Sequence, residues 1–311
     1  MRRKIKTINA DTWGGNWTEL KLNAFEKYVN AYLKIMKKQK EKYKGWPATI
    51  YFDGFAGSGN REKYREDSLQ SIQSLFLKNT EYKELTIYKG SAERVLSLEE
   101  KFDYYYFVDI EEESINTLKD SLINKSLVTN NCNFICNDVN IELKKLSKEL
   151  DKTKAALVFL DPFGMQIDWE SIKFLRDKRV DLWILLPSGV IVNRLLDNEG
   201  KIIYKEKMAR FFGLRSEEIK NIFYKKVHQN TLFGENEVIK KIDNSIEKIS
   251  TTYIKQLKNI FHFVTENPLI LINSKNVPIY HFIFATNNKT AYKIAKYIVG
   301  EKSQRNKEIH Q

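Results

Sequence analysis

Four apolar runs in this 311-residue chain end on residues that can do chemistry. "YFDGFAGSG" closes on Asp53 and continues through Gly54, Phe55, Ala56, Gly57 and Gly59. "YYYFVDI" closes on Asp109 and Ile110, and "NFICNDV" on Asp138 and Val139. "LVFLDPFGMQIDW" places Asp161, Pro162 and Phe163 directly after its run. Glycines let the backbone approach a ligand and adopt positive φ, which suits the edge of a nucleotide or nucleoside. The Lys-Ser/Thr pair of a phosphate-gripping loop is absent, and the G-x-x-G-x-G spacing of Gly54, Gly57 and Gly59 misses the dinucleotide fingerprint. That spacing disfavours a nicotinamide dehydrogenase. An acid at the second tip is placed to accept both hydroxyls of a ribose, and one at the third to accept from an adenine amino group. Either acid alone reads first as a helix cap, since Asp is favoured where a strand turns into a helix, and it is the three tips in order that point to a ligand. The D-P-F-G stretch supplies an acid, a rigid turn and a ring, but the same residues would serve a plain strand-end turn in which Asp161 caps the next helix and Phe163 joins the core.

Such residues need a frame that brings the tips to one edge. In "TELKLNAFEKYVNAYLKIMKKQK", residues 18–40, Leu22, Phe25, Val29, Leu33 and Met36 recur at helical spacing, so an amphipathic helix precedes the first strand and ends in a basic run. Trp46-Pro47 breaks it before "TIYFD". Strands then close near Asp53, Asp109, Asp138 and Asp161, with a fifth in "VDLWILLPSG" and helices between them, the second strand leading into a helix from about Ser114. Alternating strands and helices imply right-handed crossovers and a largely parallel sheet covered on both faces. Ligands of such sheets bind outside the carboxyl ends of the strands. All four chemical stretches fall there.

Composition narrows the partners. Lys and Arg number 52 against 40 Asp and Glu, a formal charge of +12, which favours polyanions through counterion release and steering. No apolar run approaches the ~20 residues of a membrane helix, and the N-terminus lacks an apolar signal core, so a cytoplasmic protein without membrane contact is expected. Cys132 and Cys136 flank a strand and read as buried or half-buried core residues, and with four scattered histidines they form no zinc constellation.

The order of these blocks, a glycine loop, two acids and D-P-F-G, resembles the class I methyltransferases that use S-adenosylmethionine. More closely, "YFDGFAGSG", "LDPFGMQIDW", "LLPSGVIVNRLL", "ELKLNAFEKYVNAYL" and "YHFIFATNNKTAYKIAKYI", spread over residues 18 to 300, resemble the three-Cys-motif partner family. The family takes its name from a neighbouring protein bearing three cysteines, so a cysteine triad is not expected in this chain. The resemblance implies a Rossmann-like fold with a mostly parallel seven-stranded sheet and a helical insertion, S-adenosylmethionine as cofactor, and cofactor contacts along 53–59, 109–110 and 138–139. What that family modifies is not given by the resemblance; D-P-F-G itself resembles the D-P-P-Y tetrapeptide of amino-directed methyltransferases, which implies methyl transfer to an exocyclic amine of a nucleic acid base, with Asp161 and the Pro162 carbonyl accepting from the amine and Phe163 stacking on the base. The competing reading is a catalytically idle subunit that binds cofactor or nucleic acid beside a three-cysteine, radical-enzyme-like partner.

The chain divides on this reading into an N-terminal helical flap (1–45), a cofactor-binding core (46–194), a helical insertion or substrate arm (195–260) and C-terminal strands and helix that complete the sheet (261–311). Fifty residues separate Gly59 from Asp109, so 60–89 is a further insertion before a helix opening near Ser91. In the arm, "RLLDNEG", "EKMARFFGL" and "VIKKIDNSIEKISTTYIKQLKNIF" read as helices. Asn193 and Arg194, at the start of the helix after the fifth strand, together with Lys225 and Lys226, are the candidates for phosphate contact. Trp13, Trp17 and Lys21 line the adenosine pocket from above or form a hydrophobic flap over the sheet edge.

Overall fold

The computed structural model describes residues 15–59, 89–197, 200–231, 234–273 and 276–309. Trp13 and nearly all of the 60–89 insertion lie outside them. The first helix, α1 (Gly15–Lys42), leads into β1 (Ala48–Asp53); α2 (Ser91–Leu96), β2 (Tyr104–Asp109), α3 (Glu112–Asn124), β3 (Cys132–Cys136), α4 (Val139–Glu149), β4 (Lys154–Leu160), α5 (Trp169–Lys173) and β5 (Val180–Leu186) follow. The sheet runs β3-β2-β1-β4-β5 in parallel. Beyond β5 lies β10 (Pro278–Thr286), antiparallel to it. Two short strands, β8 (Phe263–Val264) and β9 (Leu269–Ile272), share the far side of β10, so eight strands fill the seven expected positions. The architecture is α/β and Rossmann-like, with its order reversing between β1 and β4.

Alternation along the central strands fixes which side chain meets which face. Ile50, Phe52, Val158, Leu160, Leu182 and Ile184 enter one core, under α4, α5 and the segments after β5. Tyr51, Leu157, Phe159, Trp183 and Leu185 enter the other, under α1, α2, α3 and the last helix, α10 (Lys289–Ile309). This second core is aromatic. Phe25 of α1 stacks on Phe159 at 4.2 Å, Tyr28 meets Trp183 edge-on at 5.4 Å, and Trp183 stacks on Phe282 at 4.5 Å. The N-terminal helix is thus a full layer of the fold and not a flap, because its apolar stripe faces the middle of the sheet.

The arm departs from expectation in the same way. Its helices α7 (Lys205–Phe212), α8 (Ser216–Phe223) and α9 (Ser245–Leu257) bury Met208, Phe211, Phe212, Phe223 and Tyr253 in the first core. Between α8 and α9, β6 (Tyr224–Thr231) and β7 (Gly234–Lys241) form an antiparallel hairpin where a helix was expected for "VIKK". Ile239, Ile242, Ile246 and Ile249 recur every three or four residues and mimic a helical stripe, but Ile239 faces Lys226 across the hairpin. The helix after β5, α6 (Ser188–Leu195), ends before "DNEG", which puts Asn193 and Arg194 in its last turn and not at its start. Cys132 is half-buried and Cys136 exposed, because β3 is the sheet's open edge.

Candidate functional site

The carboxyl edge of the sheet is built outward from Asp53. Its carboxylate is fully buried at the tip of β1 and accepts from Ser91 Oγ (2.6 Å), Tyr51 OH (3.0 Å) and Phe55 N (3.3 Å). Burial pushes the carboxyl up to about 6. Asp53 therefore shapes the loop from beneath. Two backbone bonds carry the sheet pattern into the loop, Gly54 N to Phe159 O and Ala56 N to Val108 O, both 2.9 Å. Gly54 is required for packing: a Cβ there would meet Leu160 at 2.6 Å and Val139 at 2.7 Å. Ala56 is buried and Phe55 packs on the first core. Gly57 differs, with φ +58° and open space where a side chain would stand.

Gly57 N donates to Asp109 Oδ2 at 2.9 Å, which joins the glycine loop to the tip of β2. Asp109 is half-buried and accepts from Glu111 N at 3.0 Å through its other oxygen. Among the described residues two of its four lone-pair directions are used, leaving acceptor capacity for a diol. Ile110 beside it is 62% exposed. At the third tip, Asp138 caps α4 by accepting from Asn140 N at 2.6 Å, so the capping alternative is realised there. Val139 is buried, its side chain packed against Gly54.

At the fourth tip neither part of the plain-turn alternative holds. Asp161 does not cap α5, whose N-cap is Asp168, and Phe163 is 39% exposed. Asp161 Oδ2 instead accepts from the Nζ of Lys21 in α1, a side chain only 3% exposed. The same ammonium lies 5.6 Å from the Trp17 ring, and Trp17 stacks on Tyr280 of β10 at 5.2 Å. Pro162 is buried, and Phe163 N donates to Gln166 Oε1 at 2.9 Å. Asn140 clamps the loop from α4, donating to Gln166 O (3.0 Å) and accepting from Asp168 N (2.8 Å). Arg210 of α7 binds Asp168 Oδ1 at 3.0 Å. Sequence reasoning missed Asn140 altogether and took Lys21 only as a pocket or flap residue. A pairing across 140 positions leaves no local signal.

Of the phosphate-contact candidates, Lys225 pairs with Asp243 at 3.2 Å and Lys226 with Glu237 at 2.7 Å on the exposed hairpin. The side chain of Arg194 lies outside the described residues. Among the described residues no three His, Cys, Asp or Glu gather as a metal site, and no helix is long and apolar enough to cross a membrane.

No family model matches the chain, and no curated protein does. Solved structures share its outline at low identity. A Legionella pneumophila protein of the family DUF519 is 14% identical, with 92% of this chain and 91% of that one covered and a TM-score of 0.44. An rRNA methylase from Streptococcus thermophilus is 11% identical over 64% of this chain and 90% of that one, TM-score 0.29. The plantazolicin methyltransferase BpumL, in complex with a triazolic desmethylPZN analog and SAH, is 12% identical over 87% and 86%, TM-score 0.30.

Proposed function

We propose that this chain is an S-adenosylmethionine-dependent methyltransferase acting on an exocyclic amino group of a nucleic acid base. The observation that carries the reading is the bond between Gly57 N and Asp109, which sets a glycine with open space at its Cβ position against a half-buried carboxylate. Those residues fit a nucleoside cofactor: Asp109 would accept from the ribose hydroxyls, Gly57 would leave room for the ligand, and Ile110 would wall the base. Asp138 Oδ1 is engaged in its helix cap, so only its second oxygen would serve an adenine amine.

When bound, the cofactor supplies an electrophilic methyl on a sulfonium sulfur; the rest falls to the chain. Asp161, with Oδ2 held by Lys21, offers Oδ1 as a fixed acceptor for an amine hydrogen, and the exposed Phe163 offers a stacking face. An amine attacking such a methyl needs its lone pair aimed and its excess proton accepted more than it needs a strong base. The Lys21 ion pair fixes that aim from a helix seated on the sheet, which is more rigid than a loop.

The same ion pair also favours a second reading, in which Asp161 is only half of a structural bridge and the chain is an idle cofactor- or nucleic-acid-binding subunit of a three-cysteine partner. The two separate by experiment. S-adenosylmethionine binding is measured by calorimetry, with Asp109→Ala expected to weaken it by ~1.5–3 kcal/mol. Transfer of a radiolabelled methyl to DNA, tRNA and rRNA is then assayed. Binding without transfer to any of them selects the idle subunit, and no cofactor binding at all removes the methyltransferase reading and leaves only a nucleic-acid-binding subunit.

A further inference from the structure

Cations sit over aromatic rings at the amino ends of the strands, the edge opposite the site just described. Arg179, just before β5, stacks on the Trp46 ring at 4.2 Å; Lys42 lies 5.0 Å from the Tyr43 ring and Lys154 of β4 5.7 Å from the Tyr104 ring of β2. In a fourth pair, Lys144 of α4 lies 5.5 Å from the ring of Phe174, which follows α5. These four rings are between 36% and 49% exposed. Tyr104 opens β2, Tyr43 and Trp46 precede β1, Lys154 opens β4 and Arg179 precedes β5, neighbouring positions in the sheet's order. Three strand spacings of about 4.8 Å make a lane of roughly 14 Å along which these rings and cations lie. A groove of about 510 Å³ runs between Trp46, Lys152, Lys178 and Arg179.

Partly exposed rings, each flanked by a cation, match the two contacts a single-stranded nucleic acid makes, base on ring and phosphate on charge. Acids facing the lane are partly spent. Asp151 accepts from Thr153, Glu149 pairs with Lys154, and Asp103 pairs with Lys40. Asp177 also lines the groove, beside Lys178 and Arg179. We infer that this amino edge is a docking surface for single-stranded nucleic acid, an anchor on the far side of the sheet from the glycine loop. A strongly acidic polypeptide is the rival occupant, but it would use the cations and leave the rings idle.

The test uses the full chain and fluorescein-labelled dT20 and rU20, read by anisotropy between 50 and 300 mM salt. Trp46→Ala should weaken binding of at least one of them roughly ten-fold, the loss of one stacked base. The double variant Lys152→Glu/Arg179→Glu, whose side chains are at the surface, should flatten the salt slope by about 1.4, two phosphate contacts at ~0.7 each. Should Trp46→Ala fail to fold, the double variant carries the test alone. Unchanged affinity and slope in the folded variants overturn the inference, as does absence of binding to either oligonucleotide. So does poly-glutamate that competes as well as the oligonucleotide does. S-adenosylmethionine calorimetry on the same variants should be unaltered, which keeps failure here distinct from failure of the methyltransferase reading.

Discussion

Lys21 reaches Asp161 from a helix 140 positions away, and that bond changes what substitution at Asp161 would do. The Lys21 side chain is 3% exposed, and removing a carboxylate from beside such a buried cation weakens its compensation. Asp161→Ala is therefore expected to lose ~2–4 kcal/mol in urea unfolding as well as any methyl transfer. Asp161→Asn retains an acceptor for Lys21 and most of that stability, while transfer falls by ~10²-fold or more with cofactor affinity nearly intact. Lys21→Met should lower transfer too, with Asp161 present but no longer held. An Asp161→Asn protein that transfers methyl at the parental rate would reduce the pair to a structural bridge. The residue types at the strand tips were readable from sequence, since an acid closes each of the four apolar runs and glycines follow the first. Their division of labour was not. Asp53 and Val139, grouped there with the ligand contacts, are buried beneath the loop, because only the three-dimensional crossing of β1 with α4 shows which atoms Gly54 must clear.

Whole elements were legible to the extent that their apolar periodicity was unambiguous. Expected over 18–40, the first helix spans Gly15–Lys42 and buries Leu22, Phe25, Val29 and Leu33 as its spacing requires. Periodicity does not say what the stripe lies against. Because Phe25 stacks on Phe159 in the sheet's centre, Phe25→Ala should cost ~3–5 kcal/mol, measured as a shift in the urea midpoint with little change in slope. A shift under ~1 kcal/mol would return α1 to the status of a detachable flap. The β6–β7 hairpin illustrates the opposite failure. Its isoleucines fit a helical stripe locally, and only the cross-strand ladder from Tyr224↔Lys241 to Thr231↔Gly234 decides for strands.

At the scale of the molecule, three buried titratable groups tie stability to pH. Burial pushes Asp53 and Asp181 up to about 6 from 3.8, and pulls His281 down to about 4 from 6.5. Between pH ~4 and ~6 the folded chain keeps two protons that the unfolded carboxylates release, and lacks one that the unfolded imidazole binds. The carboxyl contributions are full below the unfolded value near 4 and are lost as pH rises through about 6; the imidazole contribution runs the other way. Net, these groups make stability fall by one proton's worth across the window, on the order of 3 kcal/mol. The melting temperature should decline from pH 4 to 6. Asp181→Asn, which keeps polar partners for Tyr28 and Thr286, should flatten that decline. A melting temperature that climbs across the window in the parent chain would mean that these groups are not held as the structure has them.

The sequence by itself determined the alternation of strands and helices, the acids and glycines at the strand tips, and the basic excess, because each is written in neighbouring residues. Tertiary structure alone decided the β3-β2-β1-β4-β5 order, the second antiparallel neighbour of β10, and the Lys21–Asp161 and Gly57–Asp109 bonds. It likewise decided that Trp46 and Arg179, 133 positions apart, share a stack. Each of these joins residues that lie far apart along the chain. Such contacts form only after the loop entropy between them has been overcome by burial of the two cores, and no local pattern records which distant partner burial will deliver.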